Sequence, residues 1–153
     1  MTEIIQIIAA FCGSLGFGIL FNARGVKLLL GSLGGMMAWS IFLLLGLFID
    51  SEPVRFCIVS MCVAIYAEVL ARIFKTPTTS FIIVPLVPLI PGGALYYTMS
   101  SIFIDDIHVF FSKAGYALSL AFAIAIGVVI AAAAVRLTFK YKMIRQQKSA
   151  NKS

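Results

Sequence analysis

The sequence predicts an all-α membrane protein of five transmembrane helices, the fourth broken by proline and glycine near the bilayer midplane. Three observations predict it: an apolar composition, five long apolar runs, and basic residues gathered in alternate connectors. Of the 153 residues, 61% are hydrophobic and only 12% charged, and the mean hydropathy is +1.07. A soluble domain carries about 25% charged residues. So few charges cannot cover a water-facing surface, which leaves lipid as the solvent.

The runs fall at about 4–21, 28–49, 54–74, 80–104 and 115–139. Each approaches or exceeds the roughly 20 residues that a helix needs to cross a bilayer. The first follows Met1-Thr2-Glu3, with no basic lead and no convincing cleavage site, so it reads as a retained span rather than a signal peptide. The third contains Glu68 and Arg72. The connectors are short and leave no room for a soluble domain. Residues 140–153 form a basic tail behind the membrane domain of residues 1–139.

The connectors set the expected orientation. Arg24 and Lys27 lie between spans one and two, and Arg72 and Lys75 between three and four. Arg136, Lys140, Lys142, Arg145, Lys148 and Lys152 close the chain. With the N-terminus outside, ten of the twelve basic residues face the cytoplasm, leaving only Arg55 and Lys113 outside. Positive-inside bias favours that arrangement, and the chain is expected in the plasma membrane of a bacterium. The net charge of +6 therefore reports topology and contact with anionic lipid, not nucleic acid.

Small residues recur at helical spacing. Span two has Gly31-x-x-x-Gly35, and span five has Gly115, Ser119, Ala123, Gly127 and Ala131. This spacing lets helix backbones approach closely in lipid, either within the subunit or against another one.

The fourth run carries the most information. Pro85, Pro88 and Pro91 recur at spacing three and Gly92-Gly93 follow. In a regular helix these prolines would strip partners from the carbonyls of Phe81, Val84 and Val87. Unpaired backbone groups facing lipid cost several kcal/mol each, so the segment must be sheltered by protein or line a wet cavity. Ser80–Ile90 and Ala94–Ile104 are 11 residues each. At about 1.5 Å per residue, each half crosses about half the hydrocarbon thickness. Interrupted helices of this kind build substrate sites in secondary transporters. A helix restarting after Pro91 would offer the amides of Gly92, Gly93 and Ala94 to a carboxylate. Tyr96 and Tyr97 would shape the pocket, and Thr78 and Thr79 would guard the cytoplasmic entrance. A kinked structural helix is the plainer alternative.

Glu68 is the acid well inside an apolar run. Ionisable groups there mark ion or proton routes, so Glu68, with Arg72, is a candidate for proton coupling. The alternative is a helix-end ion pair four residues apart. Trp39 reads as a lipid-facing or packing residue, and His108 as a solvated loop histidine. Cys12, Cys57 and Cys62 read as packing residues. One histidine excludes a two-histidine metal site, and neither a phosphate-binding loop nor a nucleophile–base set is present. No cofactor, metal or enzymatic activity is expected.

The run Arg72–Thr79 and the stretch Pro85–Tyr97, with its Pro-Leu-Ile-Pro-Gly-Gly core, resemble the threonine/serine exporter family. The closer resemblance is to the small subunit that forms the C-terminal half of a two-component exporter. Valine is usual in that family where Ile90 stands. The resemblance covers essentially the whole chain. It implies five spans, a larger membrane subunit as partner, and export of threonine and serine or, in two-subunit versions, of succinate. A membrane scaffold subunit and a passive channel are the alternatives, and composition and spacing do not choose among them.

Overall fold

The computed structural model describes residues 1–104 and 107–150, and the regular elements of the described residues are all helical. The acidic pair Asp105–Asp106 and the tail residue Lys152 lie outside the described residues. The helices are α1 (Thr2–Leu20), α2 (Val26–Leu45), α3 (Glu52–Ile73), α4 (Thr79–Leu86), α5 (Gly92–Ser100) and α6 (Ile107–Ala150). Short 3-10 turns at Val87–Leu89 and Ser101–Ile104 follow α4 and α5.

Among the described residues four helices are long and apolar enough to cross a membrane, and α4 and α5 together pass the same test as a bent fifth. Those two stretches, Thr79–Leu89 and Gly92–Phe103, meet at 53°. The five-span, broken-fourth architecture that the sequence predicts is thus the one observed. The last helix differs in extent: it begins at Ile107, where the apolar run suggested about residue 115. Lys113 interrupts the apolar pattern but not the helix, because lysine is a good helix former.

Local chemistry explains the ends. Ser51 precedes α3, Glu52 sits in its first turn, Pro53 lies where a missing N–H costs nothing, and Arg72 closes the last turn. The α1–α2 connector turns through Asn22 (φ 56°) and Gly25 (φ 60°), left-handed conformations that asparagine and glycine tolerate.

Burial is inverted relative to a water-soluble protein. Large apolar side chains such as Ile4, Ile8, Leu44, Phe122 and Val129 face outward. Much of the interior is small: Ala38, Ala64, Ala67, Ser14, Ser32 and Ser60 are fully buried. Lipid tails satisfy the outer leucines and isoleucines as well as a core would, so close backbone approach drives packing.

The α2 glycines meet the proline segment. A Cβ on Gly31 would lie 3.1 Å from Val84, and one on Gly34 would lie 2.7 Å from both Pro85 Cγ and Tyr66 Cε1. A Cβ on Gly35 would run into Ser14 and lie 3.3 Å from Pro88 Cγ. The Gly31-x-x-x-Gly35 motif is therefore used inside the subunit. The span-five stripe divides. Gly127 and Ala131 are buried, with Gly127 against Cys57 and Ser60 of α3, whereas Gly115 and Ser119 are exposed.

Polar side chains tie the helices at few points. Tyr66 donates to the Leu30 carbonyl across α3 and α2 at 2.8 Å, and Trp39 Nε1 donates to Gln6 Oε1 of α1 at 3.3 Å. Tyr116 of α6 donates to the Glu52 carboxylate of α3.

Candidate functional site

The proline spacing sets the geometry of the break. After Pro85 the chain tightens into a 3-10 turn, which moves the hydrogen bonds one residue closer. The Val87 amide reaches the Val84 carbonyl, and the Ile90 amide reaches the Val87 carbonyl at 3.1 Å. Two of the three carbonyls threatened by the prolines are thereby satisfied within the segment. The rest of the requirement is met by shelter: Phe81, Val84, Pro85 and Leu89 are buried among α1, α2 and α3.

At Ile90 (φ −63°, ψ 122°) the backbone becomes extended, and α5 begins at Gly92 behind Pro91. The Gly92 amide folds back onto the Ile90 carbonyl at 2.7 Å, so it is engaged where the sequence expected it available. Gly93 and Ala94 take the second and third helical positions, whose amides have no acceptor inside a helix. The Leu95 amide is the first to close a helical bond, to the Pro91 carbonyl at 3.0 Å.

This helix start opens on a cavity of about 580 Å³. Pro88, Ile90 and Pro91 to Ala94 form one wall, with Tyr97 one turn along α5. Trp39 and Phe42 of α2, with Phe56 of α3, form an aromatic wall opposite. Trp39 stacks on Phe42 at 5.1 Å between ring centroids, and Phe42 meets Phe56 at 4.7 Å. Glu52 of α3 and Lys113, Tyr116 and Leu120 of α6 complete the lining.

The charges there are arranged unequally. Glu52 accepts from Tyr116 and lies 3.7 Å from Arg55, whose guanidinium also sits 4.9 Å over the Phe42 ring. The carboxylate is thus already engaged. Lys113 has no ion-pair partner among the described residues, where the ion pairs are Glu52–Arg55 and Glu68–Arg72. An apolar, aromatic-walled cavity with one uncompensated ammonium group and a helix N-terminus favours a small molecule that carries an anionic group.

The sequence-derived residues are only partly brought together. Pro91, Gly92, Gly93 and Tyr97 line the cavity. Tyr96 is exposed on α5 and meets Tyr97 edge-on at 5.6 Å, but does not line it. Thr79 lies elsewhere, in a second cavity of about 400 Å³ with Ser80, Arg24 and Lys27, while Thr78 is the residue preceding α4 and lines neither. Glu68 is buried and pairs with Arg72 at 3.5 Å near the end of α3 opposite to Glu52, and it lines neither cavity. Sixteen residues of helix separate it from Glu52, about 24 Å at 1.5 Å per residue.

Sequence reasoning missed Trp39, Lys113 and the Glu52–Tyr116 contact. Lys113 carried a signal, a lone cation in a connector otherwise acidic; Trp39 carried none that separates a cavity wall from a lipid-facing ring.

The comparisons fit this geometry. A family model described as "Threonine/Serine exporter, ThrE" matches residues 6–134, from α1 through most of α6. Neither curated proteins nor solved structures give a match. The break, the cavity and the helix that closes it all fall within the matched region, and this multi-pass membrane protein belongs to the threonine/serine exporter family.

Proposed function

We propose that the chain is the membrane subunit of a secondary exporter for small carboxylate-bearing metabolites, of threonine/serine or succinate type, working with a larger partner subunit. The observation that carries this is the convergence of the α5 start and Lys113 on one aromatic-walled cavity. Its volume of about 580 Å³ falls in the range of small-molecule sites, about 300–1,000 Å³. In this reading the amides of Gly93 and Ala94 and the Lys113 ammonium take the carboxylate. Trp39 and Tyr97 flank the rest of the solute. Gly92, next to the carboxylate, lets it approach the backbone.

The proposed setting is the plasma membrane of a bacterium, with the N-terminus outside and the basic tail in the cytoplasm. The cavity then faces outward and the Arg24 side faces the cytoplasm. Between them Val84, Pro85 and Pro88 pack on the α2 glycines, which makes this contact the barrier of an alternating-access cycle. A larger partner subunit would supply the other half of the pathway. Thr78 and Thr79 stand at the cytoplasmic entry.

Glu68 is the proposed proton carrier, with Arg72 as its alternate partner. The buried Glu68 carboxylate, 3.5 Å from the exposed Arg72 guanidinium, supports the role, because gain of a proton would cancel the charge that holds this contact. Glu68→Gln should leave the protein inserted and export measurable but no longer responsive to the proton gradient. Efflux followed at several external pH values checks this, and an unchanged pH response would reduce the pair to a structural one.

A further inference from the structure

The second cavity includes Thr79 of the cytoplasmic entry but takes no part in the carboxylate site beside α5. It has about 400 Å³ and lies between the α1–α2 turn and the start of α4. Arg24, Lys27, Asn22, Thr79 and Ser80 supply its polar lining, with Val84 among the apolar residues. None of its lining residues is acidic, and neither Arg24 nor Lys27 has a carboxylate partner among the described residues.

Arg24 is also oriented. Its Nε–H donates to Asn22 Oδ1 at 3.0 Å, from an asparagine held at φ 56°. That contact uses one donor of the guanidinium and leaves the Nη groups, which form the fork that binds oxyanions. A charge that only fixes membrane topology needs neither a brace nor a concave, hydroxyl-lined setting. Two like charges sharing one cavity repel each other, and an anion between them relieves that repulsion.

We infer that this cavity is an oxyanion-binding vestibule, which captures the carboxylate of the solute on the tail side before transit. The inference rests on the export reading and adds to it a second station for the same solute. Val84 ties the two together: it lines the vestibule and packs on Gly31, and one turn later Pro88 lines the larger cavity. The stations thus flank the same broken helix. A phosphate headgroup of an anionic lipid shares the chemistry, and the test separates the two sources.

The full chain carrying Ser80→Cys, with Cys12, Cys57 and Cys62 replaced by alanine, is placed in phosphatidylcholine bicelles. The rate of thiol labelling is measured with and without succinate or threonine. Filling about nine sites in ten should slow labelling roughly ten-fold. Arg24→Gln with Lys27→Gln should remove the protection while circular dichroism shows the helices intact; protection that survives both substitutions would overturn the inference. Absence of protection by either solute would also overturn it. Protection by added phosphatidylglycerol alone would assign the cavity to a lipid headgroup and overturn its role as a solute station. Fluorescence of Trp39, the one tryptophan of the chain, reports the larger cavity in the same samples. A Trp39 response to solute without Ser80→Cys protection leaves the export site standing and removes only the vestibule; protection without a Trp39 response removes the export site and, with it, the vestibule's role as a station before transit.

Discussion

Gly127→Ala is expected to be among the most destabilising single substitutions in the chain. Gly127 lies where α6 crosses α3, and a Cβ there would strike Ser60 Oγ and the carbonyl oxygen of Cys57. Neither can swing away. The carbonyl is helix backbone, and the Ser60 hydroxyl is tied to that same carbonyl at 2.9 Å. The two helices must separate, in the most extensive interface of the bundle. Overpacking typically costs about 1–3 kcal/mol, and contact with backbone places this case at the upper end. Gly115 is the control, since a Cβ there meets nothing within 4 Å. Gly115→Ala should be neutral or stabilising, because alanine favours helix over glycine by roughly 0.5–1 kcal/mol. Unfolding of both variants in detergent, followed by circular dichroism, tests the contrast. Equal stability of the two would contradict the packing described for α3 and α6.

Gly92→Ala should separate function from folding. A Cβ on Gly92 or Gly93 meets nothing within 4 Å, so the variant should insert and fold as the wild type does. Yet the methyl group would project beside the start of α5, in the space a carboxylate needs to reach the amides of Gly93 and Ala94. Hydrogen bonds to a charged group are worth about 1.5–3 kcal/mol, so their loss should lower export about ten- to a hundred-fold. Transport assays on membranes with matched protein levels check this. Full activity would mean that the solute does not approach α5 through its backbone.

The contrast between these glycines also shows what was legible in the sequence. The spans were readable because lipid demands long apolar runs whatever the tertiary structure. The break was readable because Pro85, Pro88 and Pro91 each remove a donor wherever they stand. How the backbone recovers was not: the 3-10 turn that returns Val84 and Val87 to bonded states is a local choice among several. The sequence expected the Gly92 amide to serve a ligand, and it turns back to Ile90 instead. The roles of Gly31, Gly34 and Gly127 needed the fold, since a small-residue stripe shows that a helix can be approached but not by what. Lys113, Glu52 and Trp39 come from three different elements, and only packing brings them to the cavity beside α5. Of the two readings of Glu68 and Arg72, the contact four residues apart is seen, while the separation of Glu68 from Glu52 at the larger cavity follows from the length of α3.

An exporter that includes this chain should move small carboxylate-bearing solutes out of the cell. The most direct measurement is efflux of preloaded threonine, serine and succinate from cells lacking their own exporters for them. Cells would express this chain alone, the larger subunit proposed as its partner alone, or both, with membrane levels verified. The expected result is saturable efflux of at least one solute that requires both proteins and responds to the proton gradient. Efflux with neither saturation nor response to the gradient would make the chain a passive channel. No efflux of any of the three solutes in any combination would contradict the export reading and leave a membrane scaffold in its place.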